Sequence, residues 1–126
     1  MRARPQFLRG DFEAAAFMAM KEVEVAVRAR AGLSNTLVGT SLMQEAFKKP
    51  KDSNDPAIGG PLWQPGSEPG EAVALMELFT GAIGLFKNPV SHRRVDLTDP
   101  AEAAEIVLLA GLLLRLVTKI PPSASS

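Results

Sequence analysis

The chain has no cysteine and a single histidine in 126 residues. The first absence rules out disulfides and thiolate metal sites, and it suits a reducing cytoplasm, which is the expected location. The second leaves no histidine cluster for zinc within one subunit. Net charge is missing too, because 14 Lys and Arg balance 14 Asp and Glu. A neutral chain is poorly suited to coat DNA non-specifically or to act as a polybasic membrane protein, although a small basic site remains open. Long hydrophobic runs are also lacking. The most apolar stretch, Ile106 to Leu114, is bounded by Glu105 and Arg115, whereas a membrane span needs roughly 20 residues. From Met1 to Arg9 and Asp11 there is no apolar core, so no signal peptide is expected. The sequence shows no alternating strand pattern, internal repeat, P-loop, nucleophile elbow or HExxH.

What is present reads as helix. Hydrophobic residues make up 46% and charged residues 22%, which excludes wholesale disorder and suits one domain. The first helix is expected from about Asp11 to Arg30, with Asp11 as cap and Gly32 as stop. Phe12, Ala16, Ala19, Met20, Val23, Ala26 and Val27 share one apolar stripe, with Lys21, Glu24 and Arg28 opposite. Met18 and Val25 form a second, narrower seam, for either a partner or a neighbouring helix. A short helix is expected from Thr40 to Phe47. Pro50 to Gly70 then holds five of the ten prolines and should lack regular structure. Within it, Trp63 either pins the loop to the core or serves as a partner-contact or base-stacking aromatic. The Lys48, Lys49, Lys51 cluster is a solvated turn or a guide for RNA, and Asp52 and Asp55 lack calcium-site spacing.

The second long helix is expected from about Pro69 to Lys87, capped by Ser67. It is apolar nearly all round, which predicts burial on most sides. A narrow strip of Glu77, Thr80, Gly81, Gly84, Lys87 and Asn88 runs down it. Glu77 is open to pairing with Lys87 or Arg115. The last helix starts at Thr98-Asp99-Pro100-Ala101-Glu102, where Asp99 caps and Glu102 closes the box, and it runs to about Lys119. The expected architecture is all-α: an up-down bundle of three long helices, a short one and a long proline-rich loop. A single domain spans 7–120, with flexible termini at 1–6 and 121–126.

The chemistry concentrates in Phe86-Lys87-Asn88-Pro89-Val90-Ser91-His92-Arg93-Arg94. Asn88 precedes a proline, so the helix should end or kink there. Asn88 can then cap a fresh turn that gathers Lys87, Asn88 and His92 on one side. Taken singly, these residues have ordinary readings as well. Lys87 is a favoured cation at a helix C-terminus, Asn88 is a cap, His92 is a solvated residue, and Arg93 and Arg94 are a solvated pair.

Taken together, Asn88-Pro89 and His92 after Gly84-Leu85-Phe86 resemble the HEPN superfamily. The nearer resemblance is to the bacterial Ymh-type family, whose signature reads Arg-Asn-Pro-x-x-His. Glu22 to Arg28, Gly39 to Phe47 and Leu78 to Ala82 resemble it as well, so the likeness spans about Phe7 to Leu116. The resemblance implies a HEPN-like helical domain, dimeric, acting as a metal-independent endoribonuclease of a toxin, abortive-infection or phage-defence system. It implies Lys87, Asn88 and His92 as catalytic residues, with Ser91, Arg93 and Arg94 holding substrate. It implies no cofactor and no metal. The implied partners are RNA, a second copy, and an antitoxin or additional N-terminal domain, with no membrane. Family members are often longer at the N-terminus, so the chain is expected to correspond to their C-terminal domain.

Lys87 stands where the family has arginine. It keeps the charge and loses the planar fork that grips phosphate. The alternative is therefore a weak or inactive member that binds RNA, nucleotide or protein. One chain supplies one imidazole, and a symmetric dimer joining both kinked ends would supply two.

Overall fold

The computed structural model describes residues 12–50, 59–64, 68–86 and 100–121. These form four helices, with no strand among the described residues: α1 (Phe12–Ala31), α2 (Gly39–Phe47), α3 (Pro69–Phe86) and α4 (Pro100–Lys119). The fold class is all-α, as expected. The caps assigned to Asp11, Ser67 and Asp99 lie outside the described residues, as do Lys51, Asp52 and Asp55.

The first and last helices pack against each other most extensively. On α1 the buried positions are Ala15, Ala16, Ala19, Met20, Val23, Val27 and Ala31. On α4 they are Ala103, Ile106, Ala110, Leu113 and Val117, alternating steps of three and four residues. The alanines on both sides allow close approach. Arg30 Nη2 donates to the Thr118 carbonyl at 3.0 Å, tying the two C-terminal ends together. The two helices therefore run in the same direction.

α1 ends in a Schellman motif. Gly32 has φ +68°, Gly32 N–H donates to the Ala29 carbonyl at 3.3 Å, and Leu33 N–H donates to the Arg28 carbonyl at 3.2 Å. The positive φ favours glycine there, so the chain stops where the sequence placed the stop.

Glu24 corrects the sequence reading. It was assigned to the polar side of α1, yet only 4% of it is exposed. It sits four residues after Met20 and three before Val27, so it shares their buried ridge. Its carboxylate accepts a 2.6 Å bond from Gly39 N–H and lies 3.7 Å from the Arg28 guanidinium. Arg28 in turn donates to the Leu37 carbonyl at 3.0 Å. Val38 at the start of α2 offers no side-chain cap. Glu24 therefore supplies from another helix the acceptor that a cap would have supplied locally.

α2 packs on α3. The Phe47 and Phe79 rings lie 4.7 Å apart with planes tilted by 30°, an aromatic pair contributing about 0.5–1.5 kcal/mol beyond burial. The N-terminal half of α2 crosses α3 at Gly84, where a Cβ would stand 3.3 Å from Thr40 Cγ2. The close neighbour at Gly84 is therefore a side chain of α2.

The proline-rich stretch returns to the body at Gly59–Gln64. Gly60 N–H donates to the Lys48 carbonyl and Leu62 N–H to the Ala46 carbonyl, both at 2.7 Å. These bonds satisfy carbonyls at the C-terminal end of α2. A Cβ on Gly60 would fall 2.6 Å from the Ala46 carbonyl oxygen and 2.7 Å from the Lys48 nitrogen, so glycine is required. The side chain that pins the segment is Leu62, 1% exposed. Trp63 is only half-buried.

Candidate functional site

Lys87, Asn88, Ser91, His92, Arg93 and Arg94 all lie outside the described residues, directly after the last described residue of α3, Phe86. What the structure describes is the helix that delivers the chain to them. Phe79 and Ile83 are fully buried and Ala82 nearly so, anchoring the C-terminal half of α3 in the core.

The strip leading to that end divides into two parts. Glu77 and Gly81 are exposed, while Thr80 and Gly84 are half-buried, with Gly84 beneath Thr40. The Thr80 hydroxyl is enclosed and has no hydrogen-bond partner among the described residues, an arrangement that costs free energy. The expected burial of α3 on most sides is not met. Ala74, Glu77, Leu78, Gly81 and Leu85 are all exposed, because no described element packs on that side. Of the basic turn, Lys48 is half-buried and lies 3.6 Å from the Glu45 carboxylate, while Lys49 is exposed.

Two concavities were not foreseen. One, about 300 Å³, lies beside α3 and is walled by Phe47, Leu62, Trp63, Leu75 and Leu78. The other, also about 300 Å³, lies between α1 and α4 and is walled by Met18, Val25, Ala29 and Leu114, with Lys21 and Glu22 on its lining. The seam of Met18 and Val25 is thus a groove wall, and Val25 is exposed. Both concavities combine side chains distant in sequence, so no local pattern announces them. Among the described residues no three His, Asp or Glu side chains gather to hold a metal ion, and no helix is long and apolar enough to cross a membrane.

Residues 1–117 fit the family model described as "Protein of unknown function (Hypoth_ymh)". The chain belongs to the Hypoth_ymh family. The match includes all four helices up to Val117 and the whole Lys87–Arg94 segment, so the Hypoth_ymh assignment covers the candidate residues as well as the scaffold. No curated protein and no solved structure matches the chain.

Proposed function

We propose that this Hypoth_ymh member is a HEPN-like endoribonuclease domain that cleaves RNA without a metal ion, in a toxin, abortive-infection or phage-defence setting. The observation that carries this reading is Lys87-Asn88-Pro89-Val90-Ser91-His92 placed directly after the core-anchored helix α3, within the matched region. Helix α3 is held at Phe79 and Ile83, so its C-terminal end offers a rigid base for a short catalytic turn.

In this reading His92 takes the proton from a ribose 2′-hydroxyl as that oxygen attacks the adjacent phosphorus. The bond from phosphorus to the 5′-oxygen breaks, and the His92 imidazolium returns the proton to the departing oxygen. Lys87 stabilises the charge that builds on the phosphoryl oxygens. Asn88 orients the phosphate, and Ser91, Arg93 and Arg94 hold the RNA. The products carry 2′,3′-cyclic phosphate and 5′-hydroxyl ends. The deciding experiment incubates RNA in EDTA with wild type and His92→Ala. Cleavage by wild type alone, with cyclic phosphate ends, supports the reading. Strict dependence on magnesium or manganese sinks it.

Lys87 favours a second reading, a binding-only member. An ammonium acts as a point charge where the family's guanidinium makes two parallel bonds. RNA binding without cleavage, weakened by Lys87→Ala, selects that reading.

A further inference from the structure

The recess beside α3 is assembled from three separate parts of the chain. Phe47 ends α2, Leu62 and Trp63 belong to the returning segment, and Ala72 and Leu75 come from the first half of α3. Its frame is fixed by backbone bonds. The Gly60 and Leu62 N–H groups donate to carbonyls at the end of α2, and Trp63 N–H donates to the Gly60 carbonyl at 3.0 Å. Phe47, Leu62 and Ala72 are buried and give the recess an apolar floor. Trp63 differs from them. Leu62 already pins the segment, and the half-buried indole contributes to the recess wall instead.

Charge narrows what this recess can hold. Glu71 is the one charged residue of its lining, and no lysine or arginine takes part. Glu71 is exposed, and no ion pair joins it to another described residue. The partial positive charge of the α3 N-terminus offsets part of its charge without reversing it. The Gln64 amide nitrogen donates to the Leu62 carbonyl at 3.3 Å, which leaves the side-chain oxygen as an acceptor. A phosphate or carboxylate entering here would meet Glu71 with no cation in the lining to compensate. The volume of about 300 Å³ stands at the small end of ligand pockets, roughly 300–1,000 Å³. It suits a single ring system.

We propose that the recess is a binding site for a small organic cation, an aromatic ring bearing one ammonium group. The ring is enclosed by the apolar walls and lies against Trp63, and its burial supplies most of the affinity. The ammonium stays at the rim, where the Glu71 carboxylate and the indole both attract a cation. The recess takes its α3 residues from Glu71 to Leu78. The candidate ribonuclease residues begin after Phe86, about 12 Å further along the helix at roughly 1.5 Å per residue. The cation site is therefore separate from the ribonuclease reading and does not depend on it.

Trp63 is the only tryptophan and the chain has no tyrosine, so tryptophan emission reports on the recess directly. Titrations with phenethylammonium, 2-phenylethanol and 3-phenylpropionate compare one ring with a cationic, a neutral and an anionic head. Phenethylammonium should change the emission saturably, with half-saturation on the order of a millimolar or below. The alcohol should bind about threefold more weakly, as an exposed carboxylate–ammonium pair allows, and the anion more weakly again. Glu71→Gln should abolish the preference for ammonium over alcohol. Ala74→Phe, at an exposed position of α3 on the recess wall, should weaken every ligand by about tenfold, with circular dichroism confirming that both variants are folded. An emission change that stays linear with phenethylammonium overturns the proposal. So does equal affinity for the alcohol or the anion, a preference that survives Glu71→Gln, or binding indifferent to Ala74→Phe. Adenosine binding more tightly than phenethylammonium also overturns it, in favour of base stacking on Trp63. RNA cleavage forms no part of the readout, so its loss or presence leaves this outcome unchanged.

Discussion

A carboxylate enclosed between two helices has to be answered by donors, and Glu24 is answered by Gly39 N–H at 2.6 Å and by Arg28. Truncation removes an ionised acceptor and leaves those donors facing the interior. Glu24→Ala should cost about 2–3 kcal/mol, since hydrogen bonds to charged groups exceed neutral ones. In urea the midpoint should fall with an unchanged slope. Glu24→Gln keeps an acceptor and should lose less. An unchanged midpoint in Glu24→Ala would contradict the clamp. Glycine gives a sharper contrast. Gly60→Ala drives a methyl onto the α2 carbonyls and should cost about 1–3 kcal/mol. Gly81→Ala meets open space and, in dilute solution, should stabilise the helix by up to about 1 kcal/mol. Thermal melts showing both changes in the same direction would refute the distinction. At the proposed site, Lys87→Arg should retain or raise cleavage, because the guanidinium binds phosphate in two places. Lys87→Ala should lose about 2–4 kcal/mol of transition-state stabilisation, and single-turnover rates would measure it. Full activity in Lys87→Ala would remove the role given to that residue.

At the scale of elements, the bonds from Gly60 and Leu62 to the end of α2 close a neck on which the folded body depends. Replacing residues 51–58 with four Gly/Ser residues halves that stretch and should change its closure entropy by about 0.6 kcal/mol. The melting temperature should therefore move by only a few degrees, and a collapse of the fold would show that 51–58 contributes to the core. The helices themselves were legible because their stops are chemical. Gly32 needs its positive φ, Pro50 and Pro121 cannot continue a helix, and Pro100 suits a first turn. Glu24 was misplaced because residue type assigns a carboxylate to solvent, while its position after Met20 and before Val27 assigns it to the core. Leu62 was overlooked beside the more conspicuous Trp63. The exposed side of α3 was unreadable because an apolar run does not reveal what covers it.

For the molecule as a whole, sequence offers the candidate site as a pattern of residue types, and the structure describes the helix that precedes it. The spacing of Lys87, Asn88 and His92 is local and could be read directly. The recess beside α3 could not, since it joins Phe47, Leu62 and Leu75 through contacts that only the folded chain creates. The pairing of α1 with α4 also determines the order in which the chain can fold. α2 and α3 are near neighbours along the sequence and can meet early, but α1 has to wait for the most distant helix. Until α4 arrives, the side of α1 that packs on it has no cover. A nascent chain still lacking its last helix would therefore expose an apolar stripe to chaperones, and closure of that stripe is the slow, long-range step expected to limit refolding.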